Sequence, residues 1–136
     1  MFQIDTNVIS ELRRPKPNPQ VVEWVNTLTT EQLFISAVTI GEIQAGIELT
    51  REQDPEKASQ LEAWLIQVSR SYNILPMDAE TFRHWAKLMH RQSNTLIEDA
   101  MIAATAISNG LTVATRNTRD FEALGLEAFD PFQRAA

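Results

Sequence analysis

The chain has no cysteine among its 136 residues. That excludes a disulfide framework, a thiolate nucleophile and a zinc–thiolate centre. Histidine is almost as scarce, with two residues. These are His84 and His90, six apart on one expected helix, a spacing that does not put two metal ligands on a common face. No uninterrupted apolar run approaches the roughly 20 residues that span a bilayer. The N-terminus shows no basic segment followed by a long apolar stretch, so neither a signal peptide nor a membrane anchor is expected and a cytoplasmic location fits. Positive charge is in deficit: 12 Lys and Arg stand against 18 Asp and Glu, a formal net charge of −6. A strongly basic footprint is therefore missing, which argues against nonspecific nucleic-acid binding. A nucleic-acid enzyme of this composition needs bound cations, a local basic patch or a partner.

What is present is ordinary for a globular protein, with 43% hydrophobic and 22% charged residues. The length suits one compact domain over 1–136. The pattern predicts strands at 2–4, 33–36, 73–75 and 111–114, with a fifth at 127–129. Helices are expected at 6–14, 21–28, 38–51, 55–70, 79–92 and 97–108, and a short helical turn at 121–124. Pro15, Pro17 and Pro19 stop the first helix, and Gly110 suits a left-handed cap after the sixth. Phe82, Trp85, Ala86 and Met89 are expected to face inward. Strands alternate with helices, and no Asn-Gly joins two strands. The expected fold is therefore α/β, a mainly parallel central sheet of four to five strands flanked by helices on both faces.

Sites in such sheets gather beyond the carboxyl ends of the strands. Four acids are placed there: Asp5 after the first strand, Glu42 in the helix after the second, Asp99 early in the helix before the fourth, and Asp120 past that strand. Each also has a purely structural reading. Asp5 can cap the helix at Thr6. Thr39 and Glu42 match a capping box, as do Thr95 and Glu98, which leaves Asp99 spare. Asp120 can complement a helix dipole. Their joint placement carries the functional case. Several carboxylates in one partly dry cleft repel unless a cation neutralises them or some stay protonated. An all-oxygen donor set without cysteine selects Mg²⁺ or Mn²⁺ over zinc. Thr6, Asn7, Thr115 and Asn117 supply hydroxyls and amides to orient such a site.

The stretches that carry this chemistry are DTNVISELRRP at 5–15, SAVTIGEIQAGI at 36–47, ILPMD at 74–78, EDAMIAATAISNGLTVATRN at 98–117, and Asp120-Phe121. Together they resemble the PIN-domain ribonucleases, and more narrowly the VapC/FitB-like toxins of bacterial toxin–antitoxin pairs. The resemblance implies that Asp5, Glu42, Asp99 and Asp120 form the family's acidic quartet, with Asp120 the most variable position. Thr6, Thr115 and Asn117 match polar positions near the metal. It implies Mg²⁺- or Mn²⁺-dependent endoribonuclease activity by metal-activated water, a homodimer, and a cognate antitoxin that blocks the active site. Operator DNA is then a partner only through that antitoxin.

Arg13, Arg14, Arg83, Lys87 and Arg116 are candidate RNA contacts that partly answer the negative net charge. A solvated face is the plain reading of the Arg83–Lys87 stripe. Gly41 to Gly46 mimics part of a P-loop, but Ile47 and Glu48 follow where Lys and Ser/Thr are required. Trp24, Trp64 and Trp85 fit apolar faces, and core or dimer packing is preferred to base stacking for them. The stripe Ala58, Leu61, Leu65 and Val68 is either core or subunit contact. A receiver-type signalling domain is the rival enzyme-like reading. It requires a phosphorylatable Asp after the third strand, where Asp78 stands, and a late lysine, which the chain lacks. The other alternative is a subunit that acts mainly as a regulatory module on operator DNA through its antitoxin.

Overall fold

The computed structural model describes residues 1–133, so the last three residues of the expected domain lie outside the described residues. Five strands form one sheet: β1 (Phe2–Ile4), β2 (Leu33–Ser36), β3 (Asn73–Leu75), β4 (Thr112–Ala114) and β5 (Ala128–Phe129). Their order is β3-β2-β1-β4-β5, and every pair is parallel. The helices are α1 (Thr6–Arg13), α2 (Pro19–Asn26), α3 (Ala37–Gln53), α4 (Pro55–Ser71), α5 (Ala79–Met89), α6 (Ile97–Asn109) and α7 (Thr118–Ala123). Pro19 opens α2 as its first residue, where its missing N–H costs nothing.

Alternation along β1 divides the core into two halves. Ile4 points to one face, where it joins Val8, Ile9, Val21, Leu33, Ile35 and Val68 from α1, α2, β2 and α4. Val113 points to the other, among Ala100, Ala103, Ala106, Phe121 and Leu124 of α6 and α7. The stripe Ala58, Leu65 and Val68 of α4 is core and not a free surface. Gln3, fully buried, also faces α6, and its Nε2 donates to the carbonyl of Ile102 at 2.8 Å. This bond ties the central strand to the helix that carries Asp99. The alanines of α6 let it lie close to the sheet, and α5 covers it through Trp85, Leu88 and Met89. Trp85 Nε1 donates to the carbonyl of Ile97 at 3.2 Å.

Three local expectations need correction. Neither predicted capping box forms, because an earlier serine takes each role. Ser36 caps α3 with its hydroxyl on the Val38 N–H, and Ser93 caps the short 3₁₀ turn Asn94–Leu96 that leads into α6. Helix α6 itself has no side-chain cap. Helix α5 stops at Met89 rather than at 92, and Arg91 takes a left-handed φ of 64° in the connection. Phe82 is 46% exposed and Ala86 is also outside. The contact stripe of α5 runs through Thr81, Trp85 and Leu88, at spacings of four and three, which rotates Phe82 and Ala86 off it.

Gly110 ends α6 with φ of 63°, and a Cβ built there meets no atom within 4 Å. The cost of a side chain is then conformational and not steric. Gly110→Ala should lower stability by about 1–2 kcal/mol, and Gly110→Asn by less, in urea unfolding followed by circular dichroism. Equal stability of all three chains would remove the left-handed cap as a contributor.

Candidate active site

The parallel sheet sends all its strand ends to one edge, and β1 and β4 meet there at the centre. The Asp5 N–H donates to the carbonyl of Ala114 at 2.9 Å, so the chain still follows β4 when the carboxylate appears. Asp5 is only 3% exposed. Its Oδ1 accepts from the Thr6 N–H at 2.8 Å, so it does cap α1. Its Oδ2 accepts from Thr115 Oγ1 at 2.7 Å and from Asn7 Nδ2 at 3.2 Å. Asn7 in turn accepts the Arg116 N–H on its Oδ1 at 3.1 Å, which pins the loop after β4. Thr6 turns the other way. Its Oγ1 lies 3.1 Å from Glu42 Oε1 and 3.1 Å from the hydroxyl of buried Thr39. The triplet Asp-Thr-Asn therefore does three jobs: it presents an acid, braces Glu42, and fixes the β4 loop.

Asp99 lies in the first turn of α6 and Asp120 in the first turn of α7. Asp99 stands within hydrogen-bonding reach of Asp120 and feels the charge of Asp5. Burial, and then those neighbouring charges, push the Asp99 carboxyl up to about 6. Burial also holds Asp5 above the usual carboxylate range, despite the three donors that oppose the shift. Glu42 is pushed up to about 7, first by burial and then by Glu98, whose carboxyl reaches it. The structure thus gathers the four expected acids at one edge and adds Glu98 as a fifth. The capping box expected of Glu98 does not form, and only its place beside Asp99 in the first turn of α6 hints at another role.

The surrounding residues sort unevenly. Thr6 and Thr115 touch the acids directly. Asn117 contributes its backbone N–H to Thr115 Oγ1 at 3.0 Å, and the side-chain amide that contacts Asp5 is that of Asn7. Arg116 is tied to the site through its backbone, and its guanidinium lies 3.8 Å from the centroid of the Phe132 ring. Arg13 lies over Trp64 at 5.8 Å, and Arg14 pairs with Glu11 at 3.4 Å. Arg83 and Lys87 line a separate cavity on α5 with Glu80 and His84, away from the acids. Asp78, which the signalling-domain reading required as a phosphate acceptor, caps α5 by accepting the N–H and hydroxyl of Thr81, each at 2.9 Å.

The donor set suits a hard divalent cation. It is all oxygen, partly buried and repulsive, and none of the ion pairs among the described residues involves Asp5, Glu42, Asp99 or Asp120. The acids approach chiefly in pairs, and no three of them form a ready-made cage among the described residues. A cation that retains several water ligands does not need a closed protein cage.

The PIN domain sequence profile matches residues 3–126. The VapC ribonuclease Y4jK of Sinorhizobium fredii is 36% identical over 141 residues, covering 99% of this chain and 100% of the relative. The toxin FitB of Neisseria gonorrhoeae is 35% identical, covering 97% of this chain and 99% of the relative. Among solved structures, FitAB bound to an IR36 DNA fragment superposes with a TM-score of 0.87 at 33% identity, covering 100% of this chain and 99% of that one.

The raised carboxyls set the pH dependence of the chain in EDTA. Between the ordinary carboxylate range and about 7, the folded chain holds protons that the unfolded chain has released. Its stability should therefore fall as pH rises through that window. The thermal midpoint in EDTA should be lower at pH 8 than at pH 5, roughly an interval that brackets both shifted groups. Asp99→Asn should flatten the slope and raise the midpoint at the alkaline end. A midpoint that stays level or climbs with pH would contradict the clustering of charge.

Proposed function

The chain belongs to the PIN-domain family, and from that premise we propose that it is a metal-dependent endoribonuclease, the toxin of a type II toxin–antitoxin pair. The observation that carries this reading is the convergence of Asp5, Asp99 and Asp120, from three separate chain segments, with Glu42 alongside. Asp5, Asp99, Glu42 and Asp120 would hold the cation, Mg²⁺ or Mn²⁺. Once bound, such an ion supplies an activated water and stabilises charge on the phosphoryl oxygens.

The protein's own groups do the rest. Thr115 and Asn7 hold the Asp5 carboxylate by its outer oxygen. Thr6 holds Glu42. Arg116 and Arg119, beside Asp120, meet the RNA backbone. The proposed nucleophile is water and not the ribose 2′-hydroxyl, and no side-chain nucleophile is required. The products then carry 3′-hydroxyl and 5′-phosphate ends. The acids are the part of the surface that an antitoxin must cover to silence the enzyme. DNA contact belongs to the complex with the antitoxin, in keeping with the DNA-bound FitAB assembly. As the family resemblance implies, the working form is taken to be a homodimer in the cytoplasm. No helix among the described residues is long and apolar enough to cross a membrane.

Purified chain should cut total bacterial RNA at discrete positions in Mn²⁺ and not in EDTA, with 5′-phosphate ends on sequencing. Asp99→Asn should abolish the cuts. Thr115→Val, which keeps the shape but drops the hydrogen bond to Asp5, should reduce them by about 10–100-fold. Cuts of equal strength in Asp99→Asn, or 2′,3′-cyclic phosphate ends, would refute this route.

A further inference from the structure

Beside the acids, a cavity of about 370 Å³ is lined by Glu98 and Asp99, and a second, of about 360 Å³, by Arg116, Arg119, Asp120, Asp130 and Gln133. The second shares Gln133 with a third cavity of about 470 Å³, where Gln133 meets Gln20, Glu23, Trp24 and Phe129. The second and third cavities therefore adjoin at Gln133: one holds Asp120 and two arginines, the other is walled by two aromatic rings and fringed by amides and one carboxylate. The aromatic wall is held in place. Trp24 lies 5.0 Å from Phe2, edge to face, and 5.2 Å from Phe129, centroid to centroid. Arg116 is likewise steadied over Phe132. Gln20 Oε1 is buried and has no hydrogen-bond partner among the described residues.

We infer that the Trp24–Phe129 cavity is a nucleobase subsite, which takes an unpaired RNA base near the scissile phosphate while Arg116 and Arg119 grip the intervening backbone. The inference rests on the ribonuclease reading and gives it a specificity element. Single-stranded RNA is recognised by stacking splayed bases on aromatic rings and by hydrogen bonds to their edges. Trp24 and Phe129 supply the stacking surface. Gln20 and Gln133 can each donate and accept. Glu23 only accepts, so it pairs with donor groups of a base: the exocyclic amino groups of adenine, cytosine and guanine, or the ring N–H of guanine and uracil. A carboxylate at this point would repel a phosphate, and it is the arginine cavity next door that suits one. Across the adjoining cavities the chemistry runs from acids through arginines to aromatics, as it does from scissile phosphate through backbone to base.

The test is a titration of the Asp99→Asn chain with hexa-adenylate, hexacytidylate and hexauridylate at low ionic strength, followed by ¹H–¹⁵N NMR. The Trp24 indole N–H, assigned with Trp24→Phe, should shift on binding while those of Trp64 and Trp85 stay still. Glu23→Gln, at an exposed position that does not threaten folding, should weaken by about tenfold each oligomer that shifts the Trp24 signal. RNA that binds and moves only the Arg116 and Arg119 signals would overturn the subsite and leave the ribonuclease reading intact. The subsite falls in the same way if the wild-type chain cuts RNA with metal yet none of the oligomers reaches Trp24. A Trp24 signal that answers to a co-purified antitoxin and not to RNA would make the cavity a protein-docking site and refute the inference. A wild-type chain that neither binds the oligomers nor cuts RNA would overturn both.

Discussion

Carboxylates that repel one another in a partly buried notch are the constraint around which this structure is arranged. Withdrawing a charged group from water is costly unless partners replace the lost hydration. Asp5 recovers part of that loss from three donors: a backbone N–H, a threonine hydroxyl and an asparagine amide. All three are neutral. They fix where the carboxylate points without cancelling its charge, so burial still wins and the group remains hard to ionise. An acid with a purely structural role usually gains an arginine or lysine when it is buried. Here the ion pairs among the described residues lie elsewhere, at Glu11, Glu48, Glu62 and Glu80. Among the described residues, the notch therefore keeps its negative charge without a basic partner.

The fold brings the acids together by topology. In the order β3-β2-β1-β4-β5, the chain leaves β1 to one side for β2 and β3, then returns on the other side for β4 and β5. The crevice at the ends of β1 and β4 is the reversal point where such sheets bind ligands. Asp5 and Thr115 face each other across it, 2.7 Å apart. Asp99 reaches it from α6, which can approach because Ala100, Ala103, Ala104 and Ala106 are small and fully buried. The Gln3 bond to Ile102 then sets α6 against β1 along its axis. Apolar burial supplies the cohesion that opposes the repulsion in the notch, while a few polar contacts set the geometry.

Much of this is legible in the sequence because it rests on strong local signals. The bounds of β1, β2 and β3 coincide with short runs between polar punctuation, and Gly110 marks the end of α6 at the residue expected. The four acids can be selected because each follows a strand or opens a helix beyond one. What cannot be read depends on tertiary competition. Thr39 and Thr95 have the spacing of caps, but Ser36 caps α3 and Ser93 caps the 3₁₀ turn before α6, which itself has no side-chain cap. Once freed, Thr39 meets Thr6 and Glu98 turns to Glu42, contacts between segments 33 and 56 residues apart in the chain. No periodicity predicts them. Phe82 departs from expectation for a related reason: the face α5 buries is set by α6, and a buried Thr81 takes the position that hydrophobicity alone assigns to Phe82.

The negative balance of the chain, which by itself argues against a nucleic-acid enzyme, has a consistent place in this picture. Net charge governs long-range steering, whereas contact chemistry is local and short-ranged at physiological salt. Several basic residues are already engaged within the fold: Arg13 over Trp64, Arg14 with Glu11, Arg51 with Glu48 and Glu62. These three are partly occupied within the fold, whereas Arg83 and Lys87 line a cavity on α5. At the notch, a cation among the acids turns the strongest local negative field toward neutrality, and Arg116 and Arg119 stand at its border. In the proposed reading, RNA is held at one edge of the sheet, where the cation and these arginines meet. In that reading an antitoxin that covers this edge covers the acids as well.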